Sequence, residues 1–144
     1  MRYTILIVAI GLIFLGCKKN SNTRPVLSYK SVNSTTIENG ELLIFTLSFK
    51  DIAPSQYNNL VIKEIVPCPL SAFSDTVALP VFSAPSNQGG DITVSFINNT
   101  IAGSYPIIAA KCDSDDIANF QFTLIDKNQH KSDSILSPTI IIKQ

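Results

Sequence analysis

The sequence predicts an all-β domain, a two-layer sandwich in preference to a barrel. Three observations carry that reading. Residues alternate apolar and polar over several short runs, which is the two-residue period of half-buried strands. Turn-forming residues separate these runs at regular spacing, and no stretch shows the 3.6-residue period of an amphipathic helix. The best strands each have one apolar face, which suits two sheets packed against each other.

The clearest strand is Glu41–Lys50. Leu43, Phe45, Leu47 and Phe49 fall on one face, and Ile44, Thr46, Ser48 and Lys50 on the other. Asp91–Phe96 repeats the pattern with Ile92, Val94 and Phe96 inward, and Asn119–Asp126 repeats it with Phe120, Phe122 and Leu124. Weaker runs cover Val26–Val32, Asn59–Val66, Thr76–Phe82, Tyr105–Lys111 and Pro138–Lys143, giving about eight strands. The breaks carry turn chemistry: Glu38-Asn39-Gly40, Ser86 to Gly90, Asn98-Asn99-Thr100 and Asp126 to Gln129. Cys112 to Ile117 reads as a turn of helix or a crossover between sheets.

Residues 1–17, MRYTILIVAIGLIFLGC, are of a different kind. Arg2 supplies a positive start, Ile5 to Gly16 is uncharged and apolar, and a small residue precedes Cys17. That order is a secretory signal. The run of about 12 residues is short for a bilayer, which takes about 20. Residues 18–25, KKNSNTRP, read as a polar tether. The expected organisation is a signal over 1–16, a modified cysteine and tether over 17–25, and a folded domain over 26–144.

Phe14-Leu15-Gly16-Cys17 resembles the lipobox of bacterial lipoproteins, with Phe14 where leucine is usual. The resemblance implies cleavage before Cys17, a thioether-linked diacylglycerol on its thiol and an N-acyl chain. More than one chain holds a protein firmly to a membrane. The segments Pro25–Tyr29, Ser34–Leu42 and Phe45–Asp51 look like the opening strands of a group of small Bacteroidetes lipoproteins. Phe122–Ser132 and Pro138–Ile142 resemble their closing hairpin. The resemblance implies an immunoglobulin-like, antiparallel sandwich of about seven or eight strands in the bacterial envelope, as an outer-membrane lipoprotein. Most such proteins have no assigned activity. Residues 51–56 depart from the acidic loop that many relatives carry after the second strand. Lys18-Lys19-Asn20 lacks the acidic residues that resemble a surface-export signal, which leans toward the periplasmic face.

Charge is balanced, with 11 Lys+Arg against 11 Asp+Glu, so no large field attracts nucleic acid. An oxidising envelope makes Cys68 and Cys112 a disulfide candidate, the alternative being two buried thiols. A loop of about 45 residues closed this way would add about 4 kcal/mol in the chain-entropy model. His130 is the one histidine and reads as an exposed loop residue. Neither nucleophile-elbow nor zinc-protease spacing is present, and a zinc site lacks ligands. No enzyme activity and no cofactor is expected.

Asp113, Asp115 and Asp116 are the densest acidic cluster and a calcium candidate, with Asp51, Asp75 or Asp126 as further ligands. The competing reading is a solvated turn. Asp75-Thr76-Val77 and Asp133-Ser134-Ile135 resemble the envelope O-glycosylation acceptor of Bacteroidetes, which would place sugars on Thr76 and Ser134. The functional expectation is a lipid-anchored, non-catalytic binding or structural domain meeting another envelope protein or a glycan. The alternative is a calcium-dependent adhesion or carbohydrate-binding accessory domain.

Overall fold

The computed structural model describes residues 24–52, 55, 58–67, 73–81, 89–101, 103–112 and 114–144. The expected signal, Cys17 and Cys68 lie outside these residues, as does Asp113. Ten strands and no helix are found among the described residues. They are β1 (Val26–Val32), β2 (Thr36–Ile37), β3 (Leu42–Lys50), β4 (Asn59–Ile65), β5 (Ser74–Ala78), β6 (Gly90–Asn98), β7 (Ile107–Ile108), β8 (Asp116–Ile125), β9 (Ile135–Leu136) and β10 (Ile140–Ile142).

One sheet has the order β1-β3-β6-β7, and the other β2-β10-β8-β4-β5 with β9 also pairing β8. The described residues form ten strands rather than about eight, because β2 and β9, two residues each, are too short to leave an alternation signal. The sheets are mixed, since β2 pairs β10 and β6 pairs β7 in parallel. The Thr76–Phe82 strand lies instead at Ser74–Ala78, and Tyr105–Lys111 reduces to Ile107–Ile108. The helical turn considered for Cys112–Ile117 is absent among the described residues there; β8 begins at Asp116.

The facing sides of the two sheets share one core. Leu43, Phe45 and Leu47 are fully buried on β3, as are Phe120, Phe122 and Leu124 on β8. Phe45 bridges the layers, its ring 5.1 Å from Phe120 and 5.2 Å from Phe122. Phe96 of β6 meets Phe120 at 5.5 Å. Tilted and edge-on rings of this kind add attraction beyond the area they bury.

Side chains complete the backbone bonding where strands break. Between the bridge at Lys131 and β10 the chain returns along β8 with two interruptions. At each, a buried serine fills the gap. Ser132 Oγ accepts the Leu124 N–H at 2.9 Å, and Ser137 Oγ accepts the Phe120 N–H at 2.9 Å. Each serine also donates its own N–H to the same residue's carbonyl, both at 2.8 Å. Buried Asn98 ties the layers together at their edge, its side-chain amide reaching the Lys143 carbonyl at 2.9 Å and the Ile37 carbonyl at 3.3 Å.

Candidate functional site

The alternation in β4 turns Leu60, Ile62 and Glu64 inward and leaves Lys63 and Ile65 exposed. β5 pairs with β4 so that Val77 sits opposite Leu60, and Asp75 opposite Ile62. Opposed residues share a face, so Val77 and Asp75 also turn inward. In the other layer, β6 pairs with β3 through Val94 opposite Phe45 and Ile92 opposite Leu47, which turns Ile92 and Val94 to the same interior.

These two inner faces do not close on each other. A cavity of about 520 Å³ lies between β4–β5 and β6, lined by Phe49, Leu60, Ile62, Phe73, Val94 and Phe96, with Asp75 and Val77 on the β5 side. The edge-on packing of Phe73 against Phe96, with ring centres 5.4 Å apart, shapes one wall. This opening explains why Phe96 is buried while Ile92 and Val94, expected in the core, are half-exposed. Alternation in the sequence gives the face of each residue but not whether the facing layer reaches it. The start of β6 is drawn tightly against β3: a Cβ on Gly89 would come within 2.5 Å of the Phe49 carbonyl oxygen, so glycine is required there.

The ionisable residues lining the cavity, among those described, are Asp75 and Asp91. Asp91 is already neutralised on the outer surface by Lys30 Nζ at 2.6 Å. Asp75 Oδ1 accepts the N–H of Thr76 at 2.7 Å, and no described cation pairs with Asp75.

A polar knot lies beside this region. Glu64 is fully buried; its Oε2 accepts from Lys111 Nζ at 2.7 Å and from the Phe73 N–H at 3.0 Å, and its Oε1 has no partner. The ion pair brings residues 111 and 112 to the end of β4. Asp116, fully buried, accepts the Lys111 N–H at 2.7 Å and the Cys112 N–H at 3.0 Å. Cys112 is disulfide-bonded.

The sequence-selected residues separate in the structure. Asp115 does not share a site with Asp116: its Oδ2 accepts from Lys143 Nζ at 2.7 Å and its Oδ1 from the Gln144 N–H at 3.3 Å. The Lys143 hydrogen bond holds the Asp115 carboxyl below its ordinary pKa, and the same contact raises that of Lys143. Among the described residues no group of three His, Cys, Asp or Glu side chains could hold a metal ion. Thr76 and Ser134 are both exposed, on β5 and before β9; Ser134 Oγ lies 2.7 Å from Thr123 Oγ1. His130 differs from the exposed loop residue expected. It is half-buried, with Nδ1 3.0 Å from Asp126 Oδ2 and its backbone N–H on Asp126 Oδ1 at 2.8 Å. The cleft itself left no motif, because its walls come from strands β3, β4, β5 and β6, which are separated in the sequence.

No known protein-family model matches this chain, and no curated protein matches it. Three solved structures show partial similarity of shape. The sporulation control protein Spo0M from Bacillus subtilis aligns with a TM-score of 0.45 at 11% identity, over 85% of this chain and 50% of that one. The Pseudomonas fluorescens alkylpurine DNA glycosylase AlkC bound to DNA aligns at 0.47 and 14% identity, over 94% and 34%. A β-glucosidase from Listeria innocua in complex with gluconolactone aligns at 0.44 and 9% identity, over 85% and 16%. The chain thus spans half or less of each of these proteins.

Proposed function

We propose that this is a lipid-anchored envelope protein whose β-domain is a non-catalytic binding module, and that its ligand enters the apolar cleft between β4–β5 and β6. The observation that carries this reading is the 520 Å³ cavity, a volume within the range of small-ligand sites. Aromatic and branched side chains line it, which suits an apolar guest. Its described lining has two carboxylates, one already paired to Lys30, and no nucleophile set beside a base. That composition favours binding over catalysis.

The anchor rests on the charge, apolar run and Gly16-Cys17 order at the N-terminus. The facing strand orders β1-β3-β6 and β10-β8-β4 support an immunoglobulin-like reading, in which A-B-E faces G-F-C. Cys68 is our assigned partner for Cys112, because the Lys111–Glu64 ion pair brings that loop to the end of the strand preceding residue 68.

Titration with the neutral fluorophore N-phenyl-1-naphthylamine tests the cleft. Saturable binding at one site is expected, weakened at least tenfold by Val94→Glu or by the cavity-filling Val94→Phe. Equal binding by both variants, each with an unchanged circular dichroism spectrum, would reject the site. For the anchor, Cys17→Ser is expected to release the protein from membrane fractions; unaltered fractionation would reject lipidation.

A further inference from the structure

Among the described residues, the strand edge that flanks the cleft has no partner strand along most of its length. β6 pairs with β3 along its length, from Leu42 opposite Ile97 to Phe49 opposite Gly90, but on its other side meets β7 at Ile97 and Asn98 alone. The Ile97 N–H points outward to the Pro106 carbonyl at 3.0 Å, and the Asn98 N–H points back to the Glu41 carbonyl at 2.9 Å. Backbone groups alternate along a strand. The N–H and C=O groups of Asp91, Thr93 and Ser95 therefore point outward, and those of Ile92, Val94 and Phe96 point toward β3. No strand among the described residues takes the outward groups.

The other edges are guarded. β1 has a bulge between Tyr29 and Ser31 together with Lys30, and β2 and β7 are two residues long. β5 is short and turns the charge of Asp75 inward. These are the devices by which natural sheets prevent edge pairing. The stretch Asp91–Phe96 has no proline, lysine or bulge.

We propose that this edge of β6 adds an extended segment of a partner protein, whose alternate apolar side chains fill the cleft and whose lysine or arginine meets Asp75. The proposal rests on the cleft being the binding site. A small apolar guest would leave the outward amides unanswered, whereas a strand bonds them and supplies side chains at the right spacing. A second copy of this chain fits less well. Its own β6 commits Ile92, Val94 and Phe96 to its own cleft, and it would bring another Asp75 rather than a cation.

The test uses the full-length protein in detergent and an acetylated eight-residue peptide alternating valine and threonine, with one lysine. Amide hydrogen exchange at Asp91, Thr93 and Ser95 is expected to be fast in the free protein and at least tenfold slower with peptide. Exchange at Ile92 and Val94, which face β3, is expected to be slow with and without peptide. Thr93→Pro removes one outward donor without touching the β3 ladder, and is expected to weaken peptide binding at least tenfold; Thr93→Val is expected to preserve it. Replacing the peptide's lysine by glutamate is expected to weaken binding several-fold, and Asp75→Asn to abolish that difference. Peptide binding that leaves the three amides fast overturns the proposal. So does protection that grows with protein concentration alone, which would identify a second copy as the occupant. If Thr93→Pro fails to fold, exchange on the unaltered protein decides. Binding of the naphthylamine without binding of the peptide defeats strand addition and spares the cleft; failure of both defeats the cleft as well.

Discussion

Single side chains close the bonding gaps left by the breaks around β9. Ser132 and Ser137 look unremarkable in the sequence, as polar residues in a polar stretch, yet both are buried and each accepts a β8 amide. Removing the Ser137 hydroxyl would leave the Phe120 N–H without a partner in the core, which costs about 1–3 kcal/mol. Ser137→Ala is therefore expected to lower stability in urea unfolding by that amount. The exposed neighbour Ser134→Ala should stay within about 0.5 kcal/mol of the parent. A serine spaced along a strand carries no mark of which face it occupies once the alternation is broken, so this role was not legible from the sequence. Glu64 was hidden in the same way: its inward position follows the β4 alternation, but its partner Lys111 comes from a distant loop.

At the scale of elements, alternation located the long strands well. Leu43, Phe45, Leu47 and Phe49 of β3 are buried as expected, and so are Phe120, Phe122 and Leu124 of β8. Long antiparallel strands advertise themselves, because every second residue is selected by burial. Two-residue strands have no period to read, and their parallel pairing depends on where the rest of the sheet lies. The junction of β8 and β10 is held partly by charge, through Asp115 and Lys143. The folded-state pKa of Asp115 lies below its ordinary value near 3.9, so its contribution is present above about pH 4 and lost as pH falls through the folded value. Lys143 is raised, so its contribution is present below about pH 10.4 and lost as pH rises through the folded value. Burial raises Tyr29 as well, which adds to the alkaline loss. Asp115→Asn is expected to lower the melting temperature at pH 7, with the difference from the parent shrinking toward pH 2 and in high salt. A difference that persists unchanged at pH 2 would show that this ion pair is not the cause.

For the whole molecule, the two-layer all-β architecture was legible because apolar faces, turn residues and the lack of helical periodicity agree. The cleft was not, since it is a gap between β5 and β6, set by how far each sheet extends rather than by any local pattern. The disulfide at Cys112 joins a loop already held by Asp116 and Lys111. Closing a long loop stabilises chiefly by restricting the unfolded chain, typically by about 2–4 kcal/mol. Dithiothreitol is expected to lower the melting temperature, and Cys112→Ser to match the reduced parent. A melting temperature indifferent to reduction would contradict that role.

The pairing of Val26 with Lys50, and of Phe49 with Gly90, places the N-terminal end of β1 at the same end of its sheet as the start of β6. A pull on the chain ahead of Val26, directed along the strand and resisted at the opposite end of the sheet, would slide β1 lengthwise against β3. Every rung of that ladder would then bear load together instead of opening one after another. Under such a pull β1 and β3 would part in shear rather than by peeling.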